Sequence, residues 1–175
     1  MRNRILVSLA AFVAALVLGA GLARAQSPAQ PAARQGASAA GAGAADVQAA
    51  AAAFVEAFNN LDWEKFRLGF TDDATVFFPF PQAPRRASGR AEVEAVFKRF
   101  FDEARKRKAA PPYLNIEPKD MQIQVLGDAA IVTFHLGDDD TVGRRTLVYQ
   151  KQKGRWLIAH LHASSLTRPK PAQGQ

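Results

Sequence analysis

Cysteine is absent from all 175 residues of the chain. That excludes a disulfide scaffold, a thiolate zinc site, a cysteine nucleophile and a lipid-modified N-terminal cysteine. No phosphate loop, nucleophile elbow or dinucleotide fingerprint occurs, and no internal repeat is visible. The 23 Lys and Arg against 16 Asp and Glu give a formal charge of +7. Arg2, Arg4 and Arg24 stand in a segment that reads as a removable leader. Without them, 20 against 16 leaves +4, a surplus that gives no reason to expect a nucleic-acid partner.

Residues 1–25 have the three parts of a secretory signal: Arg2 and Arg4, an apolar run from Ile5 to Leu18, and the small-x-small site Ala23-Arg24-Ala25. The apolar run is about 14 residues long, short of the roughly 20 needed to span a bilayer. The segment therefore predicts export to a bacterial periplasm or beyond, with a mature start at Gln26 and no stable membrane anchor. Residues 26–45 are Ala, Gly, Pro, Gln and Ser with one Arg and no large apolar side chain, and read as a disordered spacer. Residues 168–175 read as a disordered tail. One folded unit, 46–167, remains.

Within it, Asp46 is expected to cap a helix whose Val47, Ala50, Phe54 and Phe58 share a face. Asp62 caps a short second helix carrying Trp63, Phe66 and Phe70. Asp72-Asp73 makes a turn, and ATVFFPF is a strand stopped by Pro79, Pro81 and Pro84. Ser88-Gly89 opens a third helix, ending near Lys108, with Val93, Val96, Phe97 and Phe100 buried. From Pro112 the period changes to two. Four strands are expected, about 113–126, 129–137, 143–152 and 155–166, with tight turns at Gly127-Asp128 and Lys153-Gly154. Helices first and an antiparallel meander last define an α+β fold: three helices packed on one side of a curved sheet.

A two-residue turn at Lys153-Gly154 sets Tyr149 opposite Ile158, Leu147 opposite His160 and Arg145 opposite His162. On that register one face carries Trp156, Ile158, His160 and His162 with Tyr149, Leu147 and Arg145. A symmetric 137–143 loop adds His135 to the same face. This mixture of aromatic, imidazole and guanidinium groups suits a cavity under the helices, walled by Trp63, Phe66, Phe70, Phe78 and Phe80. The opposite face, with Leu157, Ala159, Leu161 and Ala163, suits a homodimer contact. The reverse assignment puts the histidines at that contact.

The segment GRRTLVYQKQKGRWLIAHLHASSL, with its Trp followed by His-x-His-x-Ser, resembles the closing hairpin of SnoaL-like proteins of the nuclear-transport-factor-2-like superfamily. It also resembles the end of the association domain of calcium/calmodulin-dependent kinase II. Phe66, Phe70, Asp72, Asp73 and Ala74 fit the same pattern. The resemblance spans about 46–167. It implies a cone, with helices against a strongly bent, barrel-like sheet, a pocket at the wide end and frequent dimers. Relatives of this kind include ketosteroid isomerases, dehydratases, polyketide cyclases and noncatalytic oligomerising domains. The isomerase branch's carboxylate base and Tyr–Asp pair have no counterpart on the derived face.

His160 and His162 are two residues apart on one strand, about 6.5–7 Å between Cα atoms, and lack a third ligand nearby. No metal or cofactor is expected. A histidine in an apolar cone can act as a general base, and Asp72 or Asp73 can support it, so these four are the catalytic candidates. Arg145 favours an anion such as a carboxylate. Arg85, Arg86 and Arg90 are expected at the cavity mouth, where they can steer an acidic ligand. Three functions are compatible with these residues: an exported domain binding a small, possibly anionic ligand; an isomerase, dehydratase or cyclase using a histidine base; and a noncatalytic oligomerisation module.

Overall fold

A computed structural model describes residues 32–167 except 84 and 138–140. The expected leader, the first part of the spacer, the Asp138-Asp139-Asp140 loop and the tail lie outside the described residues. The order is α1 (Ala32–Asn59), α2 (Trp63–Arg67), β1 (Phe70–Phe77), β2 (Ala87–Ser88), α3 (Arg90–Arg105), β3 (Lys119–Leu126), β4 (Ala129–Gly137), β5 (Thr141–Gln152) and β6 (Arg155–Thr167). The fold is α+β, as the element order predicts.

Helix α1 begins at Ala32, inside the stretch read as a spacer, and Asp46 lies within it instead of capping it. Alanine has the highest helix propensity, and a helix nucleated over 47–59 extends through the alanines of this stretch against a cost of about 1 kcal/mol at each of Gly36, Gly41 and Gly43. Its Val47 and Ala51 are buried, and Ala50, Phe54 and Phe58 pack against the core. Asp62 caps α2 as expected, its side chain accepting from Lys65 N at 3.2 Å. Helix α3 opens after Gly89, whose φ of 80° favours glycine, and Gly89 N donates to Ala74 O at 2.8 Å.

The sheet has six strands in the order β2-β1-β6-β5-β4-β3 and does not close. Two corrections follow. The pair β1–β6 is parallel, so the sheet is mixed where a purely antiparallel one was expected. The expected cone-shaped barrel is open, ending at β2 and β3. The parallel pair arises because the chain leaves β1, crosses α3 and the meander, and returns with β6 beside β1 in the same direction.

The helical layer is held by phenylalanine. Phe66, fully buried, lies 4.7 Å from the Phe97 ring, 4.9 Å from Phe101, 5.1 Å from Phe54 and 5.4 Å from Phe58 and Phe70. One ring from α2 thus contacts both long helices and β1. Polar clamps fix the same layer. Arg90 donates to Asp72 Oδ1 at 2.8 Å and to the carbonyls of Arg67 and Phe70 at 3.0 Å. Asn59 at the end of α1 pairs with both the N–H and the C=O of Ile116, at 2.7 and 3.1 Å, as a strand residue would.

Phe66→Ala removes a buried ring that the surrounding elements cannot collapse to replace. It is expected to lower stability by about 3–5 kcal/mol, read as a lower midpoint in urea unfolding.

Candidate functional site

The register of the closing hairpin decides which side chains enter the cavity. From the turn to Tyr149↔Ile158 it is as the sequence predicts. Beyond that pair a β-bulge intervenes, and the partners become Val148↔His160, Leu147↔Leu161, Thr146↔His162 and Arg145↔Ala163. Ala159 is the extra residue. A one-residue slip moves every later side chain to the other face. Leu161 and Ala163 therefore turn in, beside Leu147 and Arg145, and His160, His162 and Ser164 turn out. The slip keeps the imidazoles out of the apolar cavity and buries Leu161 and Ala163.

The β4–β5 pairing is also one residue from the symmetric-loop expectation. His135 faces Arg144, and Phe134 faces Arg145. His135 is thus on the outer face, exposed, with Nδ1 3.9 Å from Asp120 Oδ2. The three histidines share a face, as expected, but it is the face opposite Arg145.

A cavity of about 180 Å³ lies between the helices and the inner face of the sheet. Phe54, Val55 and Phe58 from α1 form one wall, and Phe97 and Phe100 from α3 another. Phe78, Pro79 and Phe80, just past β1, form a third side. The sheet contributes Phe134, Leu136, Leu147, Leu161 and Ala163. Arg145 is the one ionisable side chain among these lining residues. Its Nη1 donates to Arg144 O at 2.9 Å and to Ser164 O at 3.0 Å. No carboxylate among the described residues pairs with it, and burial pushes its pKa down. Two small residues make room for the guanidinium. Ala163 lies across from Arg145, and a Cβ on Gly143 would stand 3.3 Å from Arg145 Nη1.

Of the side chains the sequence proposes for a ligand, Phe78, Phe80 and Arg145 line the cavity. Phe66 and Phe70 are core, and Trp63 packs on Phe66 and Phe101 beneath Lys98. Tyr149 is buried between sheet and helices, outside this cavity. Asp72 and Asp73 are exposed positions of β1, not a separate turn, and Asp72 holds Arg90. Arg90 is accordingly a clamp of the fold and not a steering group at the mouth. Sequence reasoning left Phe54, Phe58 and Phe100 in the core and missed Phe134 and Leu136. The alternation of β4, with Ala130, Val132, Phe134 and Leu136 on one face, carries that signal.

On the outer face Thr75 Oγ1 lies 2.7 Å from His160 Nδ1, and Phe77 places its ring 5.9 Å from His160 and 5.7 Å from His162. Desolvation first, then the charges of His162 and Arg86, lower the pKa of His160. Among the described residues no group of three or more His, Asp or Glu is placed to hold a metal ion.

A SnoaL-like domain model matches residues 47–168, and the chain belongs to that family. A nuclear-transport-factor-2-like protein of unknown function from Pseudomonas putida is similar, with a TM-score of 0.61 and 20% identity over 75% of this chain and 98% of that one. A cystatin-like fold protein from Caulobacter vibrioides has a TM-score of 0.56 at 17% identity, over 70% and 88%. The association domain of the Caenorhabditis elegans kinase CaMKII has a TM-score of 0.52 at 19% identity, over 72% and 98%. These likenesses show the fold. Among curated proteins none matches the chain.

The lowered pKa of His160 gives a pH dependence with a definite sign. Between the ordinary imidazole value of about 6.5 and the lower folded value, the unfolded chain binds more protons. Stability is therefore expected to fall as pH drops through that window and to lose nothing further through His160 below it. Urea midpoints taken between pH 8 and 5 should show a shallower decline for His160→Gln than for the parent.

Proposed function

We propose that this chain is an exported binding domain that takes a small apolar ligand with one carboxylate into the cavity, against Arg145. The carrying observation is the pairing of an otherwise apolar wall with a single half-buried guanidinium that has no carboxylate partner among the described residues. Burial without a counter-ion disfavours the charge, and an incoming carboxylate relieves that cost through charge-assisted hydrogen bonds from Nε and Nη2. Phenylalanine on three sides supplies the apolar surface that orients the rest of the molecule.

The enzymatic alternative has less support. A proton transfer needs a base within hydrogen-bond reach of the substrate. Among the described residues the cavity lining contains no imidazole and no carboxylate, and the four catalytic candidates lie elsewhere.

Export rests on the three-part leader, residues 1–25. Among the described residues no helix is long and apolar enough to cross a membrane. For the homodimer, the outer sheet face replaces the Leu157–Ala163 contact expected from sequence, because Leu161 and Ala163 point inward. Phe77, Val148, Thr146, His160 and His162 stand on that outer face and are the surface for a second copy.

Hexanoate, a short aliphatic carboxylate, is the first probe. Isothermal titration is expected to show one saturable site per chain, with Arg145→Gln weakening it about 10- to 100-fold, the range for losing a charged hydrogen-bonding partner. Equal binding by the parent and the variant would sink the anionic anchor. Native mass spectrometry of periplasmic protein should give a mature start at Gln26 and twice the chain mass. An intact N-terminus would sink export, and a monomer would sink the dimer.

A further inference from the structure

The volume and the walls of the Arg145 cavity set the shape of its occupant as well as its charge. Its 180 Å³ is little more than the roughly 150 Å³ in which an apolar cavity takes up one benzene molecule. One six-membered ring with a short acidic arm therefore uses the space, and a second fused ring has to stand outside it.

Seven of the lining residues are phenylalanines, and their ring planes are ordered. Phe54 and Phe58, one turn apart on α1, are parallel to within 7°, and Phe58 and Phe100 of α3 to within 10°. These three rings give the helical wall one common plane direction. Phe97 stands at 85° to Phe58, with the centroids 6.1 Å apart, and so turns crosswise to that direction. Phe54, Phe58 and Phe100 are only half-buried, which leaves ring surface for a guest.

Aromatic rings carry a negative face and a positive edge, and they gain from offset-stacked and edge-to-face contacts beyond the area they bury. A ring lying along the direction shared by Phe54, Phe58 and Phe100 makes the first kind of contact with that wall and the second kind with Phe97. An aliphatic chain or a puckered ring makes neither.

The polar end has a shape too. Arg145 commits Nη1 to the carbonyls of Arg144 and Ser164, and its Nε and Nη2 make no hydrogen bond among the described residues. These two N–H groups lie on one edge of the guanidinium and match the two oxygens of a carboxylate.

We propose that the ligand is a monocyclic aryl carboxylate, its ring set against the Phe54, Phe58 and Phe100 wall and its carboxylate on the Nε–Nη2 edge of Arg145. This assignment rests on the reading of the Arg145 cavity as a carboxylate site and narrows the class of molecule that enters it.

Isothermal titration of the protein with phenylacetate and with 3-phenylpropanoate, each beside its cyclohexyl counterpart, separates ring character from charge and length. At least one aryl acid is expected to bind about fivefold or more tightly than its counterpart, the gain of one aromatic pair. 2-Naphthylacetate is expected to bind no more tightly than phenylacetate. Phe100→Leu, or Phe54→Leu should the first fold poorly, should bring the aryl-to-cyclohexyl ratio down towards one. Arg145→Gln should weaken both acids of a pair alike and leave the ratio unchanged. A ratio near one in the parent for both pairs, a ratio that neither leucine variant lowers, or tighter binding of 2-naphthylacetate overturns the aryl assignment while the carboxylate site stands. No saturable binding by any of these acids or by hexanoate sinks the carboxylate site itself, and this assignment with it.

Discussion

The extra residue at Ala159 fixes the chemistry of both faces of the sheet. Before it, Trp156 and Ile158 point at the helices; after it, Leu161 and Ala163 do. Without the bulge, regular alternation would carry His160 and His162 into the cavity beside Leu147 and Arg145. Two imidazoles would then lose water, and Leu161 would be left outside. Burying an unpaired polar ring is unfavourable and burying leucine is favourable, so both changes oppose the regular strand. The bulge also bends β6 where it runs beside β1, which has its own register irregularity between Phe70 and Thr75. Two strands that break register side by side can curve together over the helices, and the cavity lies inside that curvature.

The helical side of the cavity depends on a different arrangement. Phe66 sits at the centre of an aromatic cluster, and the rings of Phe58, Phe97 and Phe100 extend from that cluster to the cavity wall. Core and pocket are therefore one continuous set of rings. Asn59 and Arg90 hold the two ends of this layer through backbone carbonyls and amides. Such bonds fix element position without placing charge near the ligand space. The guanidinium of Arg145 is then the dominant charge that a molecule in the cavity meets.

Much of this was legible in the sequence. Period two after Pro112, the Lys153-Gly154 turn and the capping Asp62 gave the strands, the hairpin register near its turn and the second helix. Arg145, Phe78 and Phe80 line the cavity because β5 keeps a regular alternation and the strand before the prolines is short. The histidines were misplaced because both faces of β6 carry apolar residues, so alternation alone cannot locate a bulge. A signal was present: Trp156 and Ile158 are in one phase, Leu161 and Ala163 in the other, and the phase changes at Ala159. The early start of α1 was missed for another reason. An alanine- and glycine-rich stretch has no apolar stripe, and its helicity follows from propensity and from the helix it extends.

The same phase change bears on the chemistry of the inner face of the sheet. Proton transfer needs an imidazole or carboxylate within hydrogen-bond reach of the substrate. Here β6 offers His160 and His162 at positions that would qualify in a regular strand, and one inserted residue removes them. What remains inside is Ala163 facing Arg145, a small side chain across from a large cation. That pair leaves space beside a fixed charge. Arg145 can orient a carboxylate or stabilise a developing negative charge, but it cannot take a proton from carbon. The outer face receives the titrating groups instead, with Thr75 and Phe77 holding the His160 ring. Arg145 is thus separated from the histidines by the thickness of the sheet.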